Sequence, residues 1–184
     1  MNELKLKKVY EISAHGALFN YFKNKQSEVK YNFYCSEYLD NWIPGKFYNG
    51  VRCENIENST FEDNFFNLIT STAVLEHVEN DIVAYKEVFR ILKSGGAYIF
   101  TIPLMMSSKK TIIRARRDEK SEIENFLDPE YHSDPFRGEN VFTWRNYGID
   151  ITDTLNLLGF TSEIKEIFLE DINEAMPVII AKKM

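Results

Sequence analysis

The sequence predicts an α/β fold, built on a doubly wound, mostly parallel sheet with one antiparallel strand near its edge. Three observations carry that reading. Residues 61–103, FEDNFFNLITSTAVLEHVENDIVAYKEVFRILKSGGAYIFTIP, run as strand, loop, amphipathic helix, glycine stop and second strand, which is one βαβ unit. Residues 8–12, the tight loop Ser13-Ala14-His15-Gly16 and the helical stretch behind it look like the start of another. The last two apolar runs, 164–169 and 178–182, are too closely spaced for a helical crossover and form an antiparallel hairpin instead.

Each element has a local cause. Residues 8–12 make the first strand, and Ala17, Leu18, Tyr21 and Phe22 give the short helix after it an apolar face. A second strand over 32–36 is aromatic and apolar and ends at Glu37, while Pro44-Gly45 and Asn49-Gly50 mark turns before a brief third strand at 51–53. Residues 65–71 and 97–102 are continuous apolar runs suited to central strands buried on both faces. Pro103, which has no N–H for a ladder, closes the second. Between them Ile82, Tyr85, Phe89 and Leu92 recur at helical spacing and Val88 and Ile91 widen the stripe. Asn80 or Asp81 caps the start of this helix, and Gly95 supplies a left-handed stop. Residues 104–145 break the pattern with polar, charged and proline-bearing stretches and read as an insertion or lid within a single domain spanning 1–184. Helical order returns over 146–158, with Ile151, Leu155 and Leu158 on one face and Gly159 as its stop.

The bulk properties exclude several classes. A formal net charge of −6 argues against nonspecific nucleic-acid binding, which needs neutralised phosphates. Cys35 and Cys53 stand far apart with no Cys-x-x-Cys spacing, so neither a zinc site nor a disulfide framework is indicated, and no metal is expected. No apolar stretch approaches the ~20 residues of a membrane span, and the amino terminus lacks an apolar signal region, so the chain reads as cytoplasmic.

In such sheets ligands bind beyond the carboxyl ends of the strands, here first of all the edge over 70–77. The pair FFNLITSTAVLEHV and EVFRILKSGGAYIFTIP, together with the terminal reversed strand, resembles the class I S-adenosylmethionine-dependent methyltransferases, whose fold is Rossmann-like. Ser36-Glu37-Tyr38 and the Pro-Glu-Tyr-His-x-Asp-Pro run at 129–135 resemble a narrower subgroup of that family. The resemblance implies S-adenosylmethionine as cofactor, S-adenosylhomocysteine as product, and transfer of a methyl group to a small-molecule or glycan-like acceptor. It also implies roles for particular residues. Glu11 matches the acid that ends the first strand, and Ser13, His15 and Gly16 belong to the loop under the methionine portion. Glu37, followed by Tyr38, matches the acid whose carboxylate accepts from both ribose hydroxyls. Asn55 and Ile56 match the pair at adenine, and Thr72 and Ala73 lie over the sulfonium end. A cofactor without a pyrophosphate needs fewer glycines than a dinucleotide, consistent with Gly16 as the sole glycine of its loop.

A hydroxyl acceptor also needs a proton acceptor. His132, in a proline-bounded segment with Tyr131 and Asp134, is the first candidate, its alternative being a rigid, internally bonded loop. His77 is the second, its alternative being an organiser of its own loop. Lys109, Lys110, Arg114, Arg116 and Arg117 form a basic cluster that either faces solvent on a helix, screened by the acids that follow, or meets an anionic substrate. Asn67 stands where many relatives carry Asp, and it either braces a loop or helps hold the cofactor's charge. The rival to an enzyme is a degenerate family member serving as a non-catalytic binding or scaffold module.

Overall fold

The computed structural model describes residues 7–170 and 173–184. In chain order it comprises β1 (Lys7–Glu11), α1 (Gly16–Val29), β2 (Tyr31–Glu37), β3 (Phe47–Tyr48), β4 (Val51–Cys53), β5 (Phe66–Thr72), a one-turn 3-10 helix (Leu75–His77), α2 (Asp81–Ile91) and β6 (Leu92–Thr101). Six short strands follow: β7 (Ile112–Ile113), β8 (Ala115–Arg117), β9 (Ile123–Asn125), β10 (Tyr131–Asp134), β11 (Gly138–Phe142) and β12 (Arg145–Asn146). The chain closes with α3 (Ile151–Leu157), β13 (Phe160–Leu169) and β14 (Glu174–Lys183).

One eight-stranded sheet organises the molecule, in the order β13-β14-β6-β5-β1-β2-β4-β3. The pairs β5·β6, β1·β5, β1·β2 and β2·β4 are parallel. β14 runs antiparallel to both β6 and β13, so it is the reversed strand one place in from the edge, as the spacing of the last two runs predicts. At the opposite edge the two-residue β3 also runs antiparallel to β4, a hairpin that the turn residues mark but whose first strand has no apolar run to announce it.

The core follows the central strands. Tyr10, Phe66, Ile69, Tyr98 and Phe100 are fully or almost fully buried, and Tyr85, Val88 and Ile91 cover them from α2. Buried phenols keep partners: Tyr10 bonds the Ser36 hydroxyl at 2.6 Å and Tyr98 that of Ser71 at 2.7 Å. α1 contributes less, with no fully buried residue, and rests on β2 through Phe19 and Phe22 against Phe33. Cys53 is buried, Cys35 is half-buried, and both are free thiols.

Three local expectations are corrected. Asn80 does cap α2, accepting from Val83 N–H, but the helix ends at Ile91 because Leu92 turns extended to pair with Phe66. Gly95, at φ +76°, therefore serves the irregular start of β6, where the register against β5 shifts, and not a helix stop. The late helix begins at Ile151 and not near 146, since Arg145 and Asn146 are drawn into β12 against Ile113 and Ile112. Arg116 and Arg117 of the basic cluster lie on a strand hairpin in place of a solvated helix, β8 pairing with β9, Arg114 stands just before it, and these three arginines are individually matched. Arg116 meets Glu124 at 2.8 Å, Arg117 meets Glu79 at 2.7 Å and Arg114 meets Glu130 at 3.0 Å. β14 starts at Glu174, ahead of the apolar run at 178–182, and Asp171 and Ile172 lie outside the described residues.

Candidate functional site

The parallel strands β1, β2, β4 and β5 all end on one edge of the sheet. Glu11 is the last residue of β1, Glu37 of β2, and Thr72 of β5, so strand order alone gathers these positions. Glu11 is buried and accepts from the Thr70 hydroxyl; burial pushes its carboxyl up to about 7. Glu37 is buried too and holds the loop that leaves β1. Its Oε1 accepts from Ala14 N–H at 2.7 Å and from the Ser13 hydroxyl at 3.1 Å. Burial raises this carboxyl while the Ala14 amide pulls it back down.

His15 caps the start of α1, and its Nε2 lies 3.4 Å from Asp134 and 3.8 Å from Glu37. Phe136 stacks on the His15 ring at 5.6 Å, and Arg137 donates to the Tyr38 carbonyl at 3.0 Å. The β10–β11 hairpin is thus laid over the ends of β1 and β2, which is the placement a lid requires. Gly16 has φ +88° with open space where a Cβ would stand, so the tight turn into α1 and not packing is what calls for glycine.

Beyond β2 and β4 lies a cavity of about 690 Å3, inside the ~300–1,000 Å3 range of small-molecule sites. Tyr38, Asn55, Ile56 and His77 line it, with Glu54 and Trp144. Asn55 shapes this wall, since its side-chain carbonyl accepts from Glu57 N–H at 2.9 Å and so holds the turn that presents Ile56. Glu11, Ser13, His15, Gly16, Glu37, Thr72, Ala73 and His132 fall outside that lining. Thr72 and Ala73 are exposed at the carboxyl end of β5, Ala73 at φ +50°, a left-handed turn that is uncommon for alanine. Asn67 is resolved by position: it stands at the amino end of β5 and accepts from Lys8 N–H at 2.9 Å, bracing β5 against β1 far from the ligand edge.

The two histidines meet. His77 Nδ1 bonds the Phe142 carbonyl at 2.8 Å, and His77 Nε2 lies 3.2 Å from His132 Nδ1. His132 Nε2 faces Glu130 Oε1 at 3.2 Å, so its carboxylate partner is Glu130 and not Asp134, which instead accepts from Phe136 and Arg137 N–H. Burial lowers the pKa of His77. Glu76, one residue earlier, is 1% exposed and neither of its carboxylate oxygens has a hydrogen-bond partner among the described residues; burial pushes it up to about 7. A second cavity of about 240 Å3 adjoins this cluster, lined by Glu76, Glu130 and His132 with Pro103, Leu104 and Met105. Trp144 and Tyr147 are buried, completing the core around the cluster.

Sequence reading passes over Glu76 and Glu130. Both stand inside the motifs that carry the family resemblance, Leu-Glu-His-Val and Pro-Glu-Tyr-His, but nothing in either motif alone says that the two fold against each other.

The model of the family described as "Methyltransferase domain" matches residues 7–100. Among solved structures, an S-adenosylmethionine-dependent methyltransferase from Methanosarcina mazei is 17% identical with a TM-score of 0.54, covering 99% of this chain and 94% of that one. One from Mesorhizobium loti is 16% identical with a TM-score of 0.56, covering 97% and 91%. The 1,6-didemethyltoxoflavin-N1-methyltransferase of Burkholderia thailandensis, solved with its substrate and S-adenosylhomocysteine, is 12% identical with a TM-score of 0.54, covering 98% and 72%. These likenesses establish the shared fold. No curated protein matches the chain.

Proposed function

The chain belongs to the methyltransferase-domain family, with S-adenosylmethionine as cofactor, and on that premise we propose that it transfers the methyl group to an oxygen of a small-molecule or glycan-like acceptor. The observation that carries the reading is the 690 Å3 cavity beyond β2 and β4, open where an adenosine belongs and walled by Tyr38, Asn55 and Ile56. Bound S-adenosylmethionine supplies an electrophilic methyl on a sulfonium.

The chain's own residues position and shield. Both bonds that Glu37 accepts from the β1 loop fall on Oε1, which leaves Oε2 to accept from a ribose diol. Ile56 and Tyr38, which line the cavity, would hold the adenine, Ile56 offering it apolar surface. Ser13, His15 and Gly16, with Glu11 at the end of β1, would hold the methionine portion, and Thr72 and Ala73 would stand near the sulfonium. Phe136, from the lid at 104–145, excludes water above His15. The acceptor enters the 240 Å3 cavity beyond β5 and β6, where His132, backed by His77 at 3.2 Å, lowers the cost of removing its hydroxyl proton. No helix among the described residues is long and apolar enough to cross a membrane.

Calorimetric titration with S-adenosylhomocysteine tests the proposal. Saturable one-site heat that NAD does not produce is the expected result. Absence of heat at millimolar ligand would leave the scaffold reading in its place.

A further inference from the structure

The cluster of Glu76, His77 and His132 contains an electrostatic inconsistency. His77 Nδ1 sits 2.8 Å from a backbone carbonyl, which only accepts, so this nitrogen carries the proton and Nε2 presents a lone pair. His132 Nε2 faces the Glu130 carboxylate at 3.2 Å and carries a proton there, so in the neutral ring, the form that ligates a metal, Nδ1 also presents a lone pair. Those two lone pairs point at each other across 3.2 Å. Glu76 Oε1 closes the triangle at 3.8 Å from His77 Nε2 and 3.9 Å from His132 Nδ1, buried and without a hydrogen bond. Three electron-rich atoms converge on one point that calls for positive charge.

We infer that Glu76, His77 and His132 form the binding site of one divalent transition-metal cation. Ligand bonds of ~2.0–2.2 Å at tetrahedral or octahedral angles separate ligand atoms by roughly 3.0–3.6 Å. One edge of the observed triangle already falls in that range, and the other two exceed it by a few tenths of an ångström, within the reach of a small side-chain rotation. The outward nitrogens are arranged as in metal-binding histidines, one donating to a carbonyl and one to a carboxylate, which fixes the tautomers. Two imidazoles and one carboxylate suit zinc, manganese, iron or cobalt better than calcium or magnesium. Cysteine spacing gives no sign of such a site, because sulfur takes no part in it.

Three protein ligands leave coordination positions open toward the 240 Å3 cavity that Glu76 and His132 line. A hydroxyl acceptor seated there would coordinate the cation through its oxygen and lose its proton more readily. This catalytic consequence rests on the methyl-transfer reading; the cation site itself does not.

The test uses the full chain, stripped with a chelator and dialysed, then titrated separately with Zn(II), Mn(II) and Co(II) in the absence of cofactor. One equivalent should bind saturably, and Co(II) should give the visible absorption of a low-symmetry nitrogen and oxygen site. His132→Ala and Glu76→Gln should abolish the Co(II) spectrum and weaken binding at least ~10-fold, and Glu130→Gln should weaken it ~10–100-fold by freeing the His132 ring. Circular dichroism checks that each variant folds, and the wild-type spectrum answers the question even if one does not. Absence of one-equivalent binding for all three metals, or undiminished binding by a folded His132→Ala, would overturn the site. S-adenosylhomocysteine binding, measured on the same stripped protein, reports separately on the methyltransferase reading.

Discussion

Ala14 N–H donates to Glu37 Oε1 at 2.7 Å, so the loop that leaves β1 hangs on the carboxylate that ends β2. One side chain thereby shapes the cradle, and in the proposed function its other oxygen receives the ribose. Glu37→Ala should weaken S-adenosylhomocysteine binding by ~1–3 kcal/mol, roughly 5- to 150-fold, through loss of hydrogen bonds to a charged group. Glu37→Gln keeps an acceptor for Ala14 and should retain part of the affinity. Calorimetry on both variants checks this, and wild-type affinity in Glu37→Ala would return Glu37 to a purely structural role.

Glu11 makes stability depend on pH in the direction opposite to a salt-bridged acid. Its carboxyl is raised from 4.5 to about 7 by burial, so the folded chain holds a proton that the unfolded chain has released over that window. The contribution is fully present below pH ~4.5 and is lost as pH rises through ~7, an effect of up to ~3 kcal/mol. Glu11→Gln is neutral at every pH and should therefore gain on the wild type across this range. Urea unfolding of both proteins from pH 4.5 to 8 measures the difference, and a gap independent of pH would show that Glu11 titrates normally.

Arg145 fastens the loop after β5 from outside. Its guanidinium is buried and donates to the carbonyls of Leu75 at 3.1 Å, Val78 at 2.6 Å and Glu79, with Asp81 3.5 Å away. Arg145→Met should cost ~3–5 kcal/mol, because the Val78 and Glu79 carbonyls lose the guanidinium donor, the Leu75 carbonyl keeps only Tyr147 and Val78 N–H, and Asp81 loses its counter-charge in a poorly solvated place. Denaturant unfolding gives the value, and a loss below ~1 kcal/mol would mean that water replaces the guanidinium.

Much of the frame was legible in the sequence because local chemistry dictates it. Continuous apolar runs gave β5 and the core of β6, the 3.6-residue stripe and Asn80 gave α2, and the close spacing of the last two runs gave the reversed β14. The errors fall where long-range pairing overrides local preference. Leu92 leaves its helix to meet Phe66, and Asn146, expected to open the late helix, pairs with Ile112 instead. The site divides the same way. Strand ends could be placed from the pattern, so Glu11, Glu37 and Thr72 share an edge as expected. The meeting of His77 with His132, 55 residues apart in sequence, depends on how the 104–145 segment folds back, and no periodicity encodes that.

Gly148 shows how tightly the chain before α3 packs on the segment at Lys110. A Cβ added there would stand 2.5 Å from the Lys110 carbonyl carbon and 2.6 Å from its oxygen, both backbone atoms that no rotamer change can move aside. Its φ is not in the left-handed region, so backbone preference by itself favours alanine, and a Gly→Ala change in open space would stabilise by ~0.4–1 kcal/mol. Sterics decide the sign here. Gly148→Ala must push the 110 segment away, breaking the bonds from Thr111 N–H and hydroxyl to Asp150 at 2.8 and 2.7 Å. The cost should reach the upper part of the ~1–3 kcal/mol range for overpacking, a fall in Tm of about 6–12 °C for a chain of this size. Differential scanning calorimetry checks it, and a Tm equal to or above the wild type would mean that the segment over Gly148 stands farther off than this close approach implies.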